Sequence, residues 1–82
     1  MNIDQAYIAV LRLNELPDSA YKPCPRCGTP TIMKTVLDMT GSELPGCSFY
    51  VGCFTCGYRT PNTYDPFEAI KTWNTGKGLV RN

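Results

Sequence analysis

A small α+β fold is what this sequence predicts: one antiparallel sheet of two or three strands, with a helix before it and a helix after it. Three observations predict it. Two Cys-x-x-Cys-Gly motifs, Cys24-Pro25-Arg26-Cys27-Gly28 and Cys53-Phe54-Thr55-Cys56-Gly57, bracket the middle of the chain. β-Branched and aromatic residues crowd the stretch between them, and apolar residues recur at helical spacing on both flanks. Each motif leaves two residues between its cysteines, so a tight turn aims both sulfurs at a single ion. Tetrahedral zinc held by four thiolates is the commonest user of that geometry. The fold expected is therefore a zinc ribbon: two zinc knuckles carrying one structural Zn2+ on Cys24, Cys27, Cys53 and Cys56, with the sheet between them.

Length supports a staple of this kind. A chain of 82 residues has room for one domain, 1–82, and buries a modest share of its surface on folding. Small scaffolds seldom gather enough core to offset chain entropy unaided, which leaves disulfides or a metal as the reinforcement. The five cysteines are odd in number and two pairs have metal spacing, while no positive stretch followed by an apolar run opens the chain. A secreted disulfide framework is accordingly the poorer reading, and the expected location is the cytoplasm of the cell. No apolar run approaches membrane-spanning length.

The N-terminal helix is expected over 2–16. Asn2 and Gln5 form a capping-box-like pair, and Ile3, Ala6, Tyr7, Val10 and Leu13 define a stripe that Leu11 and Leu16 widen. Such a helix packs on the ribbon and completes its core, or else serves as a partner-binding or dimer-forming helix. Pro17, Asp18 and Ser19 end it. The knuckles and hairpin occupy 22–60. Glycine after each pair takes the positive φ that such a turn needs, and Pro25 stiffens the first turn.

The first strand is read over 31–38, with Ile32 and Val36 on one side and Met33 and Leu37 on the other. Thr40-Gly41-Ser42 and Pro45-Gly46 make 39–46 a hairpin loop. The second strand runs over 47–53, where Cys47, Phe49, Val51 and Cys53 share one face and Ser48, Tyr50 and Gly52 the other. Cys47 is thereby an ordinary buried small hydrophobe rather than a reactive thiol or fifth ligand. A short third strand over 58–60 ends at Pro61.

The C-terminal helix is expected over 65–75. Asp65 is the N-cap, Pro66 takes the first helical position, Glu68 follows the cap by three and Gly76 marks the stop. Pro66, Ala69, Ile70 and Trp73 form its stripe beside Phe67. Trp73 is read as the anchor on the hairpin rather than an aromatic that stacks on a base. The tail 77–82 is expected to fray.

Lys22-Pro23-Cys24-Pro25-Arg26-Cys27-Gly28, the hairpin, Cys53-Phe54-Thr55-Cys56-Gly57 and Glu68-Ala69-Ile70-Lys71-Thr72-Trp73-Asn74 together resemble the restriction-alleviation (Lar-like) zinc proteins of phages and prophages. Knuckles alone occur in many zinc ribbons, so the specific part is their combination with the tryptophan-asparagine helix over residues 22–74. The resemblance implies zinc on the four cysteines, a phage or prophage origin, and a role in blunting host DNA defence by acting on a host protein.

Three functions compete on this basis. The first is a non-enzymatic binding module that inhibits a host restriction or CRISPR complex through protein contact, with Tyr50, Phe54 and Tyr58 as natural anchors. No histidine is present, so a Cys/His nucleophile is excluded, and no small-molecule substrate is expected. The second is nucleic-acid binding, with Arg26, Lys34 and Arg59 along one side and Tyr50 or Tyr58 stacking. The net charge of +1 is spread almost evenly along the chain, which suits solvated charges better than a phosphate-binding surface. The third is iron-based redox chemistry, since rubredoxins also present two CxxCG turns. A thioredoxin-type site wants its CxxC between strand and helix, whereas Gly28 leads here toward a strand.

Overall fold

The computed structural model describes residues 3–29, 33–41 and 43–81. Its order is α1 (Ile3–Leu13), a 3-10 turn (Asp18–Ala20), β1 (Met33–Asp38), β2 (Ser48–Gly52), β3 (Tyr58–Arg59), α2 (Pro66–Thr75) and β4 (Val80–Arg81). The strands form one antiparallel sheet in the order β1-β2-β3-β4. The fold is thus the expected small α+β ribbon, with one more strand than the sequence signals. Asn2, Thr31, Ile32 and Ser42, which entered the expected helix cap, first strand and loop, lie outside the described residues. None of the helices among the described residues is long and apolar enough to cross a membrane.

Strand β2 is the spine. Its neighbour β1 pairs Val36 with Tyr50, Leu37 with Phe49 and Asp38 with Ser48, and an irregularity separates this register from the Met33–Gly52 pair. On its other edge, Val51 and Thr60 pair twice. The Thr60 amide donates to the Val51 carbonyl at 2.8 Å, and the Val51 amide donates to Thr60 Oγ1 at 3.0 Å. Phe49 and Thr63 exchange both backbone bonds further along. Every ladder group on that edge is met without a long strand, as buried backbone requires.

The expected alternation puts Cys47, Phe49, Val51 and Cys53 into the core, and two helices divide them. Cys47 and Phe49 meet Ala6 and Ala9 of α1, whereas Val51 and Cys53 meet Ala69, Ile70 and Trp73 of α2. Leu13 packs against both groups. Cys47 is one of the buried side chains of this layer, the packing role read for it.

Helix α2 starts and stops where its signals are. Asp65 accepts from the Phe67 amide at 3.0 Å, Pro66 occupies the first turn, and the Gly76 amide bonds back to Thr72 and Trp73 in a left-handed cap (φ 72°). A Cβ on Gly76 would lie 3.0 Å from Pro25 Cβ, so this cap is also where the helix meets the first knuckle. Trp73 is fully buried, and its Nε1 donates to the Lys22 carbonyl at 2.9 Å. Asn74 completes the clasp. Its Oδ1 accepts from the Lys22 amide at 3.0 Å, and its Nδ2 donates to the Ala20 carbonyl at 2.9 Å.

Two expectations need correction. Helix α1 is rotated from its expected phase: Ala6 and Ala9 are buried and Val10 and Leu13 half buried, while Ile3 and Tyr7 face outward. The site that receives it is small, and alanines allow the helix backbone to approach Phe49 closely. The tail does not fray over its whole length either. Leu79 is buried in the core with Trp73, and Val80 and Arg81 pair with Arg59 and Tyr58. Long-range pairing of a two-residue strand leaves no local pattern for sequence reading to find.

Truncating Trp73 to alanine is expected to lower stability by about 3–5 kcal/mol, the usual cost of emptying a large aromatic site. Asn74→Ala should cost about 1–2 kcal/mol through two lost backbone bonds. Denaturant melts of metal-loaded protein will show both.

Candidate metal centre

Each knuckle is the same backbone device used twice. In the first, the Cys24 carbonyl accepts from the Gly28 amide at 2.8 Å, and the Cys24 amide donates to the Thr29 carbonyl at 3.0 Å. In the second, the Cys53 carbonyl accepts from Gly57 at 3.1 Å, and the Cys53 amide donates to Tyr58 at 2.9 Å. Gly28 and Gly57 hold φ of 75° and 78°, where a Cβ would meet nothing within 4 Å. Backbone conformation alone therefore asks for glycine at these two positions.

The turns bring the four sulfurs of Cys24, Cys27, Cys53 and Cys56 within 4.8 Å of one another. Cys24 and Cys56 are 3.5 Å apart and Cys27 and Cys53 are 3.7 Å apart. A regular tetrahedron with zinc–sulfur bonds of about 2.3 Å has edges of about 3.8 Å, so these separations fit one ion and are far beyond a disulfide bond. All five cysteines are free thiols. Cys24 and Cys53 are buried in the core beside Val51 and Trp73, while Cys27 is exposed and Cys56 half buried. The cluster therefore caps one end of the core with its second cysteines toward solvent.

Proton affinities inside the cluster are pulled apart. The Thr29 hydroxyl, 3.2 Å from Cys27 Sγ, and then the Thr29 amide hold the Cys27 thiol down at about 6. At Cys56 the Tyr58 amide acts downward, but burial and the sulfurs of Cys24, Cys53 and Cys27 together push the thiol up to about 11. Four thiolates this close repel one another and ionise together only around a cation. The donor set is therefore one that a metal ion completes. Thr29 was not singled out in the sequence; a hydroxyl residue two positions past the knuckle cysteine is the signal that marks it.

The residues considered for partner contact are scattered over different surroundings. Phe54, at the tip of the second knuckle, is 73% exposed. Arg26, at the tip of the first, sits with its guanidinium carbon 5.0 Å from the centre of the half-buried Tyr58 ring, and Arg81 approaches the same ring at 6.0 Å. Tyr50 is half buried under the Arg59 guanidinium at 4.0 Å. Arg59 itself is buried. It is paired with Glu43 at 2.7 Å, bonded to Asn62, and donates through Nε to the Thr60 carbonyl, so it does not join Arg26 on an open basic face. The Lys34 side chain lies outside the described residues.

Two knuckles of one design, closing a four-sulfur cluster on a small sheet backed by a helix, define a metal-binding ribbon. The model of the family described as Restriction alleviation protein Lar matches residues 19–77, and the chain belongs to that family. No curated protein and no solved structure matches it. The matched stretch starts just before Ala20 and ends just after Gly76, the two ends of the Trp73-Asn74 clasp on the first knuckle.

Metal binding must displace the remaining thiol protons, so affinity is expected to rise with pH and fall on acidification. The Cys56 thiol, pushed up to about 11, is one whose proton an incoming ion must displace at neutral pH, whereas the Cys27 thiol, held down at about 6, has largely lost its own. A chelating-dye titration from pH 8 to pH 5 should record progressive metal release. Cys24→Ser or Cys53→Ser should abolish tight binding and the cooperative melt together.

Proposed function

We propose that this chain is a zinc-binding protein of phage type that counters host DNA defence by occupying a host restriction or CRISPR complex, without catalysis of its own. The observation that carries the proposal is the four-cysteine cluster lying inside the stretch matched by the restriction-alleviation family. Zinc is favoured because four thiolates on two CxxCG turns suit tetrahedral sulfur coordination. Such a cage has no position left for an activated water, and its metal contributes folding free energy. Contact with a partner is then the remaining way to act, and it takes place in the cytoplasm of the host cell.

The surface proposed for that contact is the knuckle end. Phe54 stands out from a turn that a bound metal would hold rigid, which would spare the ordering entropy that a loop-borne aromatic loses on binding. Arg26 flanks the Tyr58 ring from the other knuckle. A second reading, nucleic-acid docking on the same end, draws support from the two guanidinium groups, Arg26 and Arg81, that approach Tyr58.

Elemental analysis of purified protein should give one zinc per chain and a colourless solution; iron in the same cage would be coloured. Affinity purification from host lysate should recover a component of a restriction or CRISPR complex. Phe54→Ala and Arg26→Ala should weaken that recovery at least roughly tenfold while leaving zinc content unchanged, as expected of anchor residues. Recovery of no such component would count against the reading. A mobility shift that persists at physiological ionic strength would favour nucleic acid instead.

A further inference from the structure

Helix α1 lies outside the family-matched stretch, and most of its apolar surface is on the wrong side for a helix that merely completes a core. Its buried residues are two alanines, whereas Ile3, Tyr7, Ile8 and Leu11 are each about half exposed or more. Two further exposed rings, Tyr64 and Phe67, line a groove of about 620 Å³ beside Ile8 and Arg12. Three of the large apolar side chains exposed among the described residues, Ile8, Tyr64 and Phe67, thus share this groove, and Ile3, Tyr7 and Leu11 extend the exposed apolar surface along α1. An eleven-residue helix is marginal by itself and depends on burying its apolar face.

The charges on this face say what covers it. Asp4, Ile8 and Arg12 form a single i, i+4, i+8 row, and neither Asp4 nor Arg12 has a partner among the described residues. Turning that row about a two-fold axis through Ile8 lays Asp4 against Arg12 of another copy, Arg12 against Asp4, and Ile8 against itself. Self-complementarity of this kind is what an isologous two-fold interface requires, and a partner of different sequence gains nothing from it. Rows spaced by four are also the ridges that interlock between packed helices.

We propose that α1 is a homodimerisation helix: two copies of the chain pack their α1 helices antiparallel about a two-fold axis near Ile8, with Tyr64 and Phe67 at the edges of the contact. This inference stands apart from the proposed function, because it concerns the face of α1 rather than the knuckle end.

Sedimentation equilibrium on the full, zinc-loaded chain is expected to give twice the 9.1 kDa chain mass. Ile8→Glu should shift the population to monomer. Asp4→Arg and Arg12→Asp each place like charges together at two symmetric points, and each should weaken the dimer roughly tenfold. The double variant D4R/R12D restores both pairs and should recover most of the affinity. All three substituted positions face outward, and zinc content and far-ultraviolet circular dichroism verify the fold of each variant. A chain that stays monomeric up to concentrations on the order of 100 µM overturns the proposal. So does a dimer indifferent to Ile8→Glu, failure of the double variant to rescue the singles, or a monomer that uses this face to bind a different protein.

Discussion

Four cysteine sulfurs held close together, a donor set that ionises fully only around a cation, are the constraint on which the remaining structure depends. The two knuckles use identical backbone bonds to hold their sulfurs within 4.8 Å, and two of those cysteines are also part of the hydrophobic core. Metal affinity and core packing are therefore coupled in one place. A chain this short buries a modest share of its surface, so a cross-link between the knuckles weighs heavily in its stability. An ion bound there would cross-link residues 24–27 with 53–56 and supply folding free energy.

A second lock positions the first knuckle. Trp73 and Asn74 take both backbone groups of Lys22 and the carbonyl of Ala20, while the cap at Gly76 packs on Pro25. Helix α2 is thus less a cover for the sheet than a clamp on the segment leading into Cys24. That arrangement gives a physical meaning to the limits of the family match. Residues 19–77 are the stretch over which metal and clasp close on each other, and α1 is an addition laid against the far half of β2.

The third element is polar. Arg59 is buried between Tyr50 and a carboxylate, with Asn62 linking Glu43, Asp38 and Ser48. This network ties the β1–β2 loop to the segment after β3, at the end of the sheet away from the knuckles. A buried charge must be paired and hydrogen-bonded to be tolerated, and here Nε of Arg59 donates to the Thr60 carbonyl and Nη2 to Glu43 and Asn62. The consequence for recognition is that positive charge is withdrawn from this side, which leaves the exposed Phe54 and Arg26 at the tips of the two knuckles, with Arg26 and Arg81 against the half-buried Tyr58 ring.

Most of the local structure was legible in the chain itself. CxxCG spacing forecast the knuckles, Asp65-Pro66 and Gly76 bounded α2, and alternation from Cys47 to Cys53 marked the inward face of β2, because capping, turn geometry and period-two alternation act between residues a few positions apart. Tertiary structure alone decided the rest. It rotated α1 so that alanines rather than Ile3 and Tyr7 meet Phe49, drew 80–81 into the sheet, and buried Arg59 that composition left among the exposed charges. Those outcomes depend on what lies opposite in space, and which face a weakly held helix turns inward is settled by the shape of the surface receiving it.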